Sequence, residues 1–178
     1  MALPKEKMYT IEDIYALPEG KRAELINGKI YYMAPPSTRH QELISELSYQ
    51  ISDYIKKNNG FCKIFFAPFA VYLNEKSDTY VEPDISVICD VNKIDDKGCK
   101  GVPDWIIEVV SPGSVNMDYH TKLFKYQNAG VREYWIVDPL KDRIFVYNFD
   151  AQDTLEYAFS DRIKVGIYED LYIDFSKI

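Results

Sequence analysis

Trp105-Ile106-Ile107-Glu108-Val109-Val110 is an apolar run with one carboxylate inside it. A run this continuous implies a β-strand covered on both faces. An ionised carboxylate in such a strand is costly unless it is paired or bound to a metal. Glu108 is therefore the first candidate for chemistry. Asp84 raises the same question: it follows Pro83 and precedes Ile85-Ser86-Val87-Ile88-Cys89, a second apolar strand. Proline has no N–H, so Pro83 marks the strand's start and puts Asp84 where the strand enters a sheet. Carboxylates on neighbouring strands can meet and hold a hard cation through oxygen.

Downstream of Glu108, Pro112-Gly113-Ser114 makes a turn, and a helix is expected from about Asn116 to Ala129, stopped by Gly130. Asp118, Lys122 and Lys125 recur on one face of it, beside a more apolar face of Tyr119, Leu123 and Tyr126. The short turn makes this helix pack back onto the Glu108 strand, which brings Lys122 within reach of the carboxylates. His120 points away from that face. A plainer reading makes Asp118 and Lys122 an exposed pair worth only ~0.3–0.5 kcal/mol. Taken singly, each residue favours the plain reading. The succession of Pro-Asp, a strand glutamate and a helix lysine favours a site.

Upstream, Thr10 and Asp13 mark a short helix ended by Pro18 and Gly20. Asn27-Gly28 between apolar runs is a hairpin signal. Thr38 and Gln41 have capping-box spacing, and Leu43, Ile44, Leu47, Ile51, Tyr54 and Ile55 follow at helical period. Phe61 to Leu73 reads as a strand broken near Pro68, Tyr80 to Cys89 as a second and Asp104 to Val110 as a third. Glu133 to Val137 and Ile144 to Phe149 flank a turn, and the tail adds a strand or two. This order predicts an α/β fold with a mixed central sheet flanked by helices and an N-terminal β-hairpin.

The 178 residues suit one domain, 1–178. With 47% hydrophobic and 28% charged residues, the composition is that of a folded globular chain. No apolar run is long enough for a membrane span, and Met1 to Tyr9 lacks an apolar signal core, so a cytoplasmic location is expected. Cys62, Cys89 and Cys99 are odd in number and lack C-x-x-C spacing, which argues against disulfides and zinc. The net charge of −7 argues against a strong non-specific grip on DNA while allowing a local basic cleft.

The chain resembles the Uma-two family of restriction endonucleases, within the PD-(D/E)xK nuclease superfamily. The resemblance rests on Glu24-Leu25-Ile26-Asn27-Gly28, His40, Pro83 to Val87, Pro103 to Pro112, Asp118, Lys122, Tyr126 and Gly130 to Pro139. It implies a restriction-endonuclease-like fold and a nuclease that uses magnesium or manganese to hydrolyse phosphodiester bonds in nucleic acid, DNA above all. Asp84 and Glu108 become the metal carboxylates, with the Val109 carbonyl as a further ligand. The superfamily motif places lysine two residues after the acid, where this chain has Val110. The resemblance therefore carries the catalytic lysine to the next helix. Lys122 is favoured over Lys125 there because Asp118 lies one turn before it. Glu24 and His40 belong to the family pattern, with their roles open: a further carboxylate or a hairpin cap, a phosphate contact or packing. The resemblance also implies a homodimer, whose two-fold symmetry would suit cutting both strands of a duplex. The rival expectations are a catalytically idle module that binds nucleic acid or protein, and a self-associating structural domain using the chain's fifteen tyrosines.

Overall fold

Asn27 and Gly28 both take positive φ, 51° and 71°, and close the expected hairpin between β1 (Ala23–Ile26) and β2 (Lys29–Tyr32). The computed structural model describes residues 7–74 and 78–178; the first six residues of the polar N-terminal stretch lie outside it. Helix α1 (Ile11–Tyr15) starts where expected, with the Thr10 N–H donating to Asp13 Oδ2 at 2.8 Å. Helix α2 (Thr38–Lys57) is capped by Ser37, whose Oγ accepts the His40 N–H at 3.2 Å. The cap thus falls one residue before the expected Thr38, because serine accepts equally well there.

The Phe61–Leu73 segment divides around a cis Ala67–Pro68 bond into β3 (Lys63–Phe66) and β4 (Val71–Tyr72). The expected Tyr80–Cys89 strand is shorter, β5 (Ile85–Ile88), preceded by isolated bridges from Tyr80 to Leu25 and from Val81 to Val71. Pro83 interrupts the ladder between the two parts. Two short strands, β6 (Ile94–Asp95) and β7 (Gly98–Lys100), join β4 in a small sheet that the sequence reading lacked.

The remaining strands are β8 (Trp105–Val109), β9 (Glu133–Asp138), β10 (Arg143–Asn148), β11 (Asp153–Ala158), β12 (Arg162–Lys164) and β13 (Tyr172–Asp174). Six strands form the central sheet in the order β11-β10-β9-β8-β5-β3. It is mixed: β8 and β9 run parallel, and the other neighbours antiparallel. Side chains alternate between its faces. Ile85, Val87, Trp105, Ile107 and Val109 pack with Leu43, Leu47 and Ile51 of α2. Ile88, Ile106, Val110, Tyr134 and Ile136 pack with Tyr126 on the opposite side. The prediction of a sheet flanked by helices holds, and Glu108 lies on this second face.

The helix after Glu108 is not uniform. It opens as a π-helix over Met117–Lys122 and continues as α3 (Leu123–Ala129), ending at Gly130 with φ 94°. The reading against disulfides is overturned by a Cys62–Cys89 bridge, and Cys99 is free and buried. Register explains the bridge. Lys63 faces Ile88 across the β3–β5 ladder, so the next residues outward, Cys62 and Cys89, also face each other. Their 27-residue separation carries no motif that would announce this.

Candidate active site

Five elements, β1, α2, β5, β8 and the π-helix, converge where β5 begins and β8 ends. Ile85 pairs with Ile107, so one residue further along the antiparallel ladder Asp84 faces Glu108. The Val109 N–H donates to Asp84 Oδ2 at 2.8 Å, and the Asp84 N–H reaches Glu108 Oε2 at 3.5 Å. The parity of β8 turns Glu108 to the face covered by the π-helix and α3.

The π-helix supplies Asp118 and Lys122, both buried. A π-turn is wider than an α-turn and is frequent at functional sites. Lys122 Nζ lies 2.9 Å from Glu108 Oε1, 3.0 Å from Glu24 Oε1 and 3.9 Å from Asp118 Oδ1. Its side chain is 5% exposed, so it meets carboxylates rather than water. Glu24 arrives from β1 and also accepts the Glu82 N–H at 2.9 Å, which ties the hairpin to the segment leading into Asp84. His40, in the first turn of α2, places Nε2 at 3.2 Å from Asp84 Oδ2, while its Nδ1 is buried without a partner among the described residues.

The structure therefore brings Asp84, Glu108, Lys122, Glu24, His40 and Asp118 into one cluster. Lys125 stays outside it and donates instead to Asn27 Oδ1 in the hairpin turn. His120, expected to point away from the Asp118–Lys122 face, is exposed while Asp118 and Lys122 are buried. The sequence reading gave no role to Tyr126. Its buried hydroxyl donates to Glu108 Oε1 at 2.7 Å. The available signals were its place in the family pattern and its position one turn after Lys122, and a polar tip in an apolar stripe conceals the second.

The electrostatics follow from crowding. Burial pushes the Glu108 carboxyl well above its ordinary range; Lys122 opposes this, and Asp84, Asp118 and Glu24 add to it. Burial likewise raises Asp118 to about 6, against the pull of Lys122 and a hydrogen bond from Ser114. Burial would lower the Lys122 ammonium, but Glu108, Glu24 and Asp118 outweigh it and hold it well above its usual value. For His40, burial lowers the proton affinity, and the hydrogen bond and charge of Asp84, with the Val109 backbone and Asp118 adding to them, overcome that and leave it raised. Four carboxyl groups surround one lysine and one histidine, so ionising all four would give the cluster more negative charge than its own cations balance.

Among the described residues no group of three His, Cys, Asp or Glu side chains forms a ready metal cage. The donors fit a different arrangement. Asp84 Oδ2 is engaged by Val109 and His40, and Glu108 Oε1 by Lys122 and Tyr126. Asp84 Oδ1 and Glu108 Oε2 are the less engaged oxygens. An all-oxygen pair of carboxylates suits a hard cation such as magnesium, which keeps much of its shell as water and substrate phosphate.

The fold is that of a solved structure from Anabaena variabilis, described as "a putative nuclease belonging to DUF820". The two are 23% identical, with a TM-score of 0.76 over 94% of this chain and 95% of that one. Residues 11–166 match the model of the Uma2 family, described as "Putative restriction endonuclease", and the chain belongs to that family. An uncharacterized Synechocystis protein, slr1290, is 25% identical over 149 residues, 82% of this chain and 77% of that protein. No helix among the described residues is long and apolar enough to cross a membrane.

Proposed function

We propose that the protein is a divalent-metal-dependent endonuclease that hydrolyses phosphodiester bonds of nucleic acid, DNA in the first instance. The observation that supports this most is the surplus of buried carboxylate around Lys122, with Asp84 and Glu108 face to face at the strand ends. Asp84 and Glu108 would hold magnesium or manganese, with the Val109 carbonyl as a further ligand. When bound, such a cation offsets charge on the phosphate and lowers the pKa of an attacking water.

The chain's own residues then have distinct tasks. Lys122 provides positive charge where the pentavalent phosphate builds negative charge as water adds to phosphorus and the ester oxygen departs. Asp118 and Glu24 hold the ammonium in place. His40 and the Val109 N–H fix Asp84. A homodimer that acts on a duplex and a cytoplasmic location complete the proposal. The disulfide pulls against the last point, since bridged cysteines belong mainly to oxidising compartments.

The rival reading, an idle module of the same fold, draws on the burial of Lys122 and on Val110 in place of the motif lysine. Incubation with single-stranded and duplex DNA and RNA, in magnesium, manganese or chelator, separates the two. Metal-dependent cutting supports the nuclease. Binding without cutting under every metal supports the module.

A further inference from the structure

Glu108 Oε1 accepts from two buried donors at once, Lys122 Nζ at 2.9 Å and the Tyr126 hydroxyl at 2.7 Å. Tyr126 is fully buried, and its ring stands edge-on to Tyr134 at 5.0 Å. The Tyr134 hydroxyl in turn donates to the Asp118 carbonyl at 3.0 Å, inside the π-helix. The phenol is thus wedged between the helix and the sheet, and its hydroxyl has one direction to point. A lysine alone fixes a carboxylate poorly, because an ammonium is a point charge with rotatable donors. A rigid hydroxyl on the same oxygen removes that freedom.

We infer that Tyr126 is a positioning residue: with Lys122 it saturates Glu108 Oε1, and so presents Oε2, the oxygen beside Asp84, to a divalent cation. This rests on the metal-dependent reading of the site and adds to it a residue that touches neither substrate nor metal. The competing explanation is a core tyrosine whose hydroxyl merely finds a partner, as buried tyrosines usually do.

Tyr126→Phe tests it, because the ring and its packing stay and only the hydroxyl leaves. The readouts are manganese affinity of the substrate-free protein by calorimetry, thermal melting, and kcat and KM on a duplex DNA oligonucleotide. Loss of a group that orients a metal ligand typically costs about 10–100-fold in metal affinity or activity. The expected result is a loss of that size in manganese affinity and in kcat, with KM and melting near wild type. Tyr147→Phe, which removes a hydroxyl from the same face with no carboxylate partner among the described residues, serves as control and should match wild type. In a Glu108→Gln background, Tyr126→Phe should cause no further loss of manganese affinity; a further loss equal to that in the wild-type background overturns the inference. Unchanged manganese affinity in Tyr126→Phe also overturns it, as does failure of that variant to fold, since the hydroxyl would then be structural. A wild-type protein that takes up no manganese overturns the metal site itself, and this inference with it.

Discussion

Asp84 and Glu108 face each other across the β5–β8 ladder, joined by the Val109 N–H on Asp84 Oδ2 at 2.8 Å. The charge of Asp84 adds to the cost of ionising buried Glu108, and a cation between them offsets it. Asp84→Asn should therefore weaken magnesium or manganese binding by at least about tenfold, since even outer partners of a metal site cost that much. Calorimetry on the two proteins decides; equal binding removes Asp84 from the metal site.

Lys122 neutralises a cluster with three carboxylates within 4 Å. Lys122→Met keeps the stem and removes the charge. Breaking a buried pair on one side typically costs ~3–5 kcal/mol. Chemical denaturation at neutral pH should show a loss of that order, together with loss of cleavage by the variant. A variant as stable as wild type would mean the carboxylates are not ionised there.

Lys125 should behave differently. Its ammonium meets the Asn27 side chain in the hairpin turn and no site carboxylate. Lys125→Ala should keep most of the activity and shift stability by less than about 1 kcal/mol. A loss of cleavage equal to that of Lys122→Ala would give Lys125 a role in the reaction as well.

Asp118 gives the metal-free protein a pH dependence. Its folded pKa, about 6, lies above the ordinary 3.8, so the folded state binds more protons between those values. The contribution is fully present below pH 3.8 and is lost as pH rises through 6. Asp118→Asn should flatten this part of the stability profile, a change on the order of 3 kcal/mol between the two limits. Denaturant midpoints measured from pH 4.5 to 7.5 check it, and an unchanged slope in the variant counts against the assignment.

The parts of the site that announced themselves in sequence did so through violated expectations. A carboxylate in an apolar strand exposed Glu108, and a proline before a strand exposed Asp84. Lys122 was legible from its place one turn after Asp118 and from the short turn that folds the helix back. The π-helix was not legible, because widening a turn changes a hydrogen-bond pattern and not a residue type. The Tyr126 hydroxyl was masked by its ring, which fits an apolar stripe. The Cys62–Cys89 bridge depends on strand register, which a pattern of apolar residues does not reveal at that distance along the chain.

The central claim is that this cluster, loaded with a divalent cation, cuts nucleic acid. Its most direct test is the cleavage rate of wild type and Lys122→Ala on DNA in magnesium, manganese and chelator. The account predicts cutting by wild type only with metal, and a fall of about two to three decades in the variant, as for loss of a group that stabilises transition-state charge. Cutting that persists in chelator, or that proceeds equally fast in Lys122→Ala, contradicts it.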